Sequence, residues 1–171
     1  AEFRVNSTTS GNQQAPTIAM NDAGSFAIAW QTANRDGNGN AVAARAYSVA
    51  GTALGNDFQV NQFTAGNQQA PSIAMANDAS FTIAWQSAGQ DTNGDAVVAR
   101  RYSATAVALA NEFIVNQTTA GNQSAPSIAA NPDGSLVIAW QSAAQDGNGD
   151  AIVARQYNAA GTPLATEVNV N

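Results

Sequence analysis

The chain has 171 residues, of which 44% are hydrophobic and 11% are charged, and its formal net charge at pH 7 is -6. It contains no cysteine and no histidine, which excludes a disulfide scaffold, a thiolate nucleophile and the commonest general base. Its few arginines are scattered through an acidic chain, so we expect no nucleic-acid partner. No apolar run approaches the ~20 residues of a membrane span, so we expect no membrane insertion. The length fits one domain, residues 1–171.

A sequence unit occurs three times at a constant step. The three tryptophans are 55 residues apart, at Trp30, Trp85 and Trp140. Prolines, arginines and tyrosines follow the same step, and the second and third copies agree at roughly two thirds of positions. The repeats are 2–56, 57–111 and 112–166. The last residues, 167–171, match residues 2–6 and predict the start of a fourth repeat.

Within a repeat, apolar residues alternate with a period of two, which predicts β-strands. In the third repeat the predicted strands, in chain order, are 113–115, 126–130, 136–140 and 152–157. Turns rich in Asn, Asp, Gly and Pro separate them, and the longest loop covers about 142–150. No helical pattern occurs. Each repeat therefore predicts four short antiparallel strands.

Four antiparallel strands at a constant period are typical of a β-propeller blade. The predicted fold is all-β, with three blades of the propeller type. Phe26, Ile28 and Trp30 share one strand face and Ala27 and Ala29 the other, which fits blades that pack face to face. Propellers have about four to eight blades, so three blades do not close a disc. A β-trefoil and a β-solenoid remain alternatives.

The repeated segments also resemble a known group of repeats. They read Gly-Asn-Gln, Ala-Pro-Ser-Ile-Ala, Ile-Ala-Trp-Gln-Ser, Asn-Gly-Asp-Ala and Val-Ala-Arg. Together they resemble tandem repeats of large secreted bacterial surface proteins, which often carry haemolysin-type calcium-binding segments as well. The resemblance implies propeller-like blades in an extracellular or cell-surface location and supplies no catalytic residues. The likeness of the copies fits a recent duplication or an engineered repeat, and the duplicated terminal strand fits an excised fragment of a longer array.

The loop after each tryptophan strand is a candidate metal site. It places oxygen-bearing side chains at alternate positions, a pattern that can wrap calcium. The candidate ligands are Asp36, Asn38, Asp91, Asn93, Asp95, Asp146, Asn148 and Asp150. No glutamate follows to complete a calcium loop, and Asp-Gly and Asn-Gly are also strong turn signals. Calcium binding and a metal-free turn both stay open, and we expect no other cofactor.

Two further patterns recur in every repeat and could bind a ligand. An arginine and a tyrosine two positions apart share a strand face, where they could bind a carboxylate or a sugar, or could connect blades. The glutamine of Gly-Asn-Gln could bond backbone groups or line a sugar-binding groove. These candidates are Arg45, Tyr47, Arg100, Tyr102, Arg155, Tyr157, Gln13, Gln68 and Gln123.

We expect no enzyme, because a threefold repeat does not provide the two unlike carboxylates that a glycosidase needs. The sequence predicts a non-enzymatic extracellular module, structural or adhesive, that self-associates through its blade edges. Two chains would form a homodimeric six-bladed ring, or many would form a filament. The alternative is a lectin-like module with one carbohydrate site at each blade boundary.

Overall fold

The structure is a computed structural model that describes residues 2–143 and 145–171. These residues form twelve β-strands and no helix, which confirms the all-β prediction. The described part of the chain accordingly offers no helix that is long and apolar enough to cross a membrane. Residue 144, in the predicted loop 142–150, lies outside the described residues.

The strands form three separate antiparallel sheets of four strands, each paired in chain order. The first sheet contains β1 (Gln13–Met20), β2 (Phe26–Ala33), β3 (Asn40–Tyr47) and β4 (Phe58–Gln59). The second contains β5 (Gln68–Met75), β6 (Phe81–Ala88), β7 (Asp95–Tyr102) and β8 (Phe113–Ile114). The third contains β9 (Gln123–Ala130), β10 (Leu136–Ala143), β11 (Asp150–Tyr157) and β12 (Val168–Asn169).

Local sequence explains the shape of each sheet. The register between β1 and β2 shifts between Gln14 and Thr17, where Pro16 has no N–H to donate to the ladder. In the next turn, Gly24 has a φ of 93°, a left-handed conformation that glycine adopts without steric cost. The same bulge recurs in the second sheet, around Pro71.

Each sheet takes its short outer strand from the following repeat. The strand β4 lies within the repeat 57–111 but pairs with β3. The segment 167–171, which repeats the start of a unit, contributes β12 and completes the third sheet. Residues 2–6 have the same sequence pattern but form no strand. The sheets are therefore offset from the sequence repeats by the length of one outer strand.

The sheets pack face to face in chain order. One face of each sheet is bulky, as with Ile83 and Trp85 of β6, and the other is small, as with Ala84. The small face of the first sheet and the bulky face of the second form one buried cluster. The second and third sheets repeat this contact. This is the blade stacking of a β-propeller. Since none of the described strands pairs across sheets, it excludes the trefoil and the solenoid.

Candidate functional site

The stack of three blades ends in two open faces that differ in character. We call the bulky side of the first sheet the N-face, which is formed by Ile18, Met20, Phe26, Ile28 and Trp30. We call the small-residue side of the third sheet the C-face, which is formed by Val137, Ala139, Ile152, Ala154, Val168 and Val170. Inside the stack, faces of these two types are in contact.

Residues of the C-face are exposed although their equivalents in the other blades are buried. Val42 and Val97 are 0% exposed, whereas Ile152, the equivalent residue of the third blade, is 40% exposed. The outer-strand valines repeat the contrast, with 0%, 0% and 63% exposure at Val60, Val115 and Val170. The C-face therefore has the same kind of residues as an internal blade boundary, but no blade of this chain packs against it.

The N-face shows the same contrast. Ile18 is 62% exposed, whereas Ile73, its equivalent in the second blade, is 6% exposed. Beside Trp30 this face contains a concave pocket of about 240 Å³ lined mainly by apolar surface. Its lining residues are Val5, Asn6, Gln13, Gln14, Pro16, Ile28 and Trp30.

Hydrogen bonds join each internal boundary along its rim. The carboxylate of Glu112, at the start of β8, accepts bonds from the backbone N–H groups of Gln62 and Phe63. At the second boundary Glu167 accepts from Gln117 and Thr118, and at the N-face Asp57 accepts from Ser7 and Thr8. The contact joins residues 50 positions apart, so local sequence patterns do not reveal it. Its one sequence signal is an acidic residue that recurs with the repeat, at Glu2, Asp57, Glu112 and Glu167.

The candidate metal loops are closed by an asparagine from the outer strand. Asn116 accepts a bond from the Val97 N–H at 2.9 Å and donates to the Asp91 carboxylate at 2.9 Å. The other Asp91 oxygen accepts from the Asn93 N–H. The equivalents of Asn116 are Asn61 and Asn171, which bind Asp36 and Asp146.

The proposed calcium ligands thus already serve as turn acceptors. Asp95 accepts a bond from Gln86 at 2.6 Å, and the Asp36 and Asp146 carboxylates cap the N–H groups of Asn38 and Asn148. Among the described residues no group of three or more acidic side chains is gathered as a metal cage. Calcium would have to rely on amide and backbone oxygens as well.

The next blade also reaches back to this loop. The Asn122 side chain accepts a bond from the Asp95 N–H at 3.2 Å. A Cβ on Gly94 would lie 2.7 Å from the same oxygen, so only glycine fits there. At Gly149, the equivalent position of the last blade, nothing lies within 4 Å. The loop at Gly149 therefore has space for an asparagine of a further blade, equivalent to Asn122.

The arginine and tyrosine candidates come together at the boundaries. Arg100 donates to the carbonyl of Ala110 at 3.3 Å and to that of Val60 at 2.9 Å, and its guanidinium lies 5.7 Å from the Tyr102 ring centroid. Burial raises the pKa of Tyr102 to about 12. The same bonds recur for Arg45 and Arg155. Arg100 and Arg155 thus bind the outer strand of the preceding blade, and Arg45 binds the N-terminal segment at Val5.

The glutamine candidates hold the tryptophans. Gln68 accepts a bond from the Trp85 indole N–H at 3.3 Å and donates to the Ala65 carbonyl at 3.1 Å. Both side chains are fully buried, which removes them from contact with a dissolved sugar. Gln123 and Trp140 repeat this arrangement. At the N-face, Gln13 and Trp30 make the same bond beside the open pocket.

Solved structures of propeller proteins are similar to this chain in fold. An endo-arabinase from Bacteroides thetaiotaomicron is 15% identical with a TM-score of 0.58, over 99% of this chain and 66% of that one. The β-propeller domain of the Trilobed protease from Pyrococcus furiosus, which has an open velcro topology, is 12% identical with a TM-score of 0.50, over 92% and 42%. A fucose lectin from Kordia zhangzhouensis is 11% identical with a TM-score of 0.50, over 90% and 96%.

At such low identity these likenesses establish the propeller fold alone. The chain spans less than two thirds of the length of the endo-arabinase and of the protease propeller domain. No family model and no curated protein matches the chain.

Proposed function

We propose that this chain is a non-enzymatic structural or adhesive module of the bacterial surface or the extracellular space. It assembles with a second copy, N-face to C-face, into a six-bladed ring. The observation that carries the proposal is the contrast in exposure between equivalent residues, 0% for Val42 and Val97 and 40% for Ile152. A second copy would bury the N-face and C-face residues, just as their equivalents are buried at the internal blade boundaries.

Burial provides the driving force for this contact. Covering a half-exposed Ile or Val side chain contributes about 1 kcal/mol, and several such residues lie on each face. The contact would also place Asn12 of one copy beside Gly149 of the other, as Asn122 lies beside Gly94 within the chain. Apolar burial and a repeated polar contact therefore favour the same arrangement.

The number of blades favours two chains. Propellers close with about four to eight blades, and two three-bladed chains supply six, whereas three chains would exceed this range. A contact between two different faces forms a ring when its rotation closes and a filament when it does not. Light scattering should give twice the chain mass, and projection images should show a disc with six lobes. A mass equal to one chain at micromolar concentration would contradict the proposal.

The proposed absence of catalysis is supported by the side chains. The chain has no histidine, cysteine or lysine. Burial, the largest influence, raises the pKa values of Asp57 and Glu167, but hydrogen bonds outweigh it and lower both, which is opposite to the raised pKa of a general acid. Incubation with arabinan should release no reducing sugar.

A lectin-like function is the second candidate, favoured by the N-face pocket. Asn6, Gln13 and Gln14 line this pocket, and side-chain amides can form hydrogen bonds with sugar hydroxyl groups. A fucose lectin shares the fold. Titration with methyl-fucoside and a glycan array tests this candidate. Binding that is lost in Gln13→Ala would support it, and no binding across the array would remove it.

The loops remain proposed calcium sites. Their support is the recurring row of carboxylate and amide oxygens, although the asparagine contacts already close each loop without a cation. Thermal melting with and without millimolar calcium tests the proposal. A rise in melting temperature that disappears in Asp91→Asn would support it, and an unchanged melting temperature in the wild type would overturn it.

A further inference from the structure

The N-terminal segment 2–6 lies where the outer strand of a preceding blade would lie. The Val5 carbonyl accepts a bond from Arg45 at 2.9 Å, just as the Val60 carbonyl accepts one from Arg100. The Phe3 ring contacts Tyr47, with centroids 5.6 Å apart, as Phe58 contacts Tyr102. Segment 2–6 is therefore docked on the N-face as an outer strand without a sheet of its own.

The C-terminal segment 167–171 has the same sequence pattern and occupies the corresponding place at the other end. It pairs with β11 through Val168 and Asn169. Glu167 accepts bonds from the N–H groups of Gln117 and Thr118, and Asn171 accepts one from Ile152. This segment is the outer strand of the C-face.

When an N-face meets a C-face, both segments fall at one position. Inside the chain that position is filled once, by 57–61 at the first boundary and by 112–116 at the second. At the contact between two chains, segment 167–171 of one copy and segment 2–6 of the other would both occupy this outer-strand position. One of the two segments has to leave.

We propose that segment 2–6 of a second copy replaces 167–171 on β11, so that the two chains exchange an outer strand. This inference rests on the self-assembly proposed above and names the segment that mediates it. Three of the five incoming residues, Glu2, Val5 and Asn6, are identical to the ones that leave. Glu2 replaces Glu167 at the N–H groups of Gln117 and Thr118, and Asn6 replaces Asn171 at the Ile152 N–H.

One position decides which segment stays. The internal boundaries have phenylalanine there, Phe58 and Phe113, each against a tyrosine of the next blade. The incoming segment supplies Phe3, which already contacts Tyr47 of its own chain, whereas the segment that leaves supplies the smaller Val168. An aromatic pair contributes about 0.5–1.5 kcal/mol beyond its burial, so the exchanged arrangement is favoured.

Engineered cysteines can trap the exchanged strand, because the chain has no cysteine of its own. Val153 lies opposite Asn169, and Arg4 is the residue of segment 2–6 that corresponds to Asn169. The Val170 N–H donates to the Ile152 carbonyl, so the adjacent pair, Val153 and Asn169, is a non-hydrogen-bonded pair. Its Cα atoms lie about 4.5 Å apart, within the range of a disulfide.

The test uses a chain that ends at residue 166 and carries Arg4→Cys and Val153→Cys. Oxidation should give dimers with two disulfides on a non-reducing gel, and chains with either substitution alone should remain monomers on that gel. A second variant keeps the full length and carries Glu167→Gln and Asn171→Ala with the same cysteines, in case the shortened chain does not fold. It should also give dimers.

Absence of the cross-link in both variants would overturn the strand exchange. This result is separate from the test of self-assembly, which is the mass of the wild-type chain. If the wild type has twice the chain mass but the cysteine variants form no cross-link, the six-bladed ring is supported and the strand exchange is wrong. A chain that lacks both 2–6 and 167–171 is the negative control, and it should stay monomeric because neither copy of the strand is present.

Discussion

The hydroxyl group of Thr32 lacks a hydrogen-bond partner because one residue near it differs from those in the other repeats. The equivalent hydroxyls, of Ser87 and Ser142, donate to Gln90 and Gln145 at 2.6 Å. In the first repeat this glutamine is replaced by Arg35, which binds Asp57 at 3.2 Å instead. The buried Thr32 hydroxyl is left with no hydrogen-bond partner. A buried polar group without a partner costs free energy of folding.

Thr32→Val should therefore stabilise the chain by about 1 kcal/mol, because it removes the hydroxyl and keeps the shape of the side chain. Ser87→Ala, the matched control, should destabilise it by about 1 kcal/mol because Gln90 then loses its donor. Urea unfolding measures both. Equal destabilisation in the two variants would show that the Thr32 hydroxyl has a partner in solution.

The Glu167 carboxylate makes stability depend on pH. Burial, the largest single influence, raises its pKa, but hydrogen bonds from Gln117, Thr118 and Gln145 together lower it below the usual 4.5. The folded chain thus holds this carboxylate ionised at a pH where the unfolded chain binds a proton. Its contribution to folding is complete above pH 4.5 and is lost as the pH falls below that value.

The free energy of unfolding of the wild type should therefore decline as the pH falls below 4.5, and part of this decline should be absent in Glu167→Gln. Urea unfolding at low concentration, where the chain is monomeric, and at a series of pH values measures the difference between the two chains. That difference should shrink as the pH falls. A constant difference would mean that the hydrogen bonds seen at Glu167 do not favour the ionised form.

Within each sheet, the glutamine that binds the tryptophan joins the inner strand to the next one. Gln68 of β5 is fully buried and satisfies the indole N–H of Trp85 in β6. Gln68→Met should leave that N–H and the Ala65 carbonyl without partners and cost about 1–3 kcal/mol. Gln13→Met, at the half-exposed N-face, should cost less because water can replace the amide. Thermal melting of both variants at low concentration checks this order.

At the scale of the whole molecule, an acidic residue on the C-face should block assembly. Ile152→Asp would bring a charge into a boundary where Val42 and Val97 are completely buried, and an unpaired buried charge is costly. We expect a monomer with nearly unchanged stability, since Ile152 is 40% exposed in the single chain. Val107→Asp, at a 62% exposed residue of a turn, should assemble as the wild type does. Sedimentation velocity distinguishes the two results.

The repeat, the all-β fold and the two kinds of strand face could be predicted from sequence, because they depend on local patterns. Alternation at Phe26, Ile28 and Trp30 sets the direction of side chains whatever the strand packs against. The Asp-Gly and Asn-Gly turns likewise set where strands end. The calcium, carbohydrate and location predictions are tested by neither the fold nor the comparisons, and they stay proposals.

Only the tertiary structure decided which strands share a sheet and which faces remain open. The bonds that Glu112 accepts from residues 62 and 63, and the bond that Arg100 donates to Val60, join segments 40 to 50 residues apart. No local pattern specifies such partners. The segments 2–6 and 167–171 have the same sequence pattern, yet only the second pairs with a sheet. Similar segments adopt different structures here because a strand needs an edge to pair with, and the packing of the other blades decides where that edge lies.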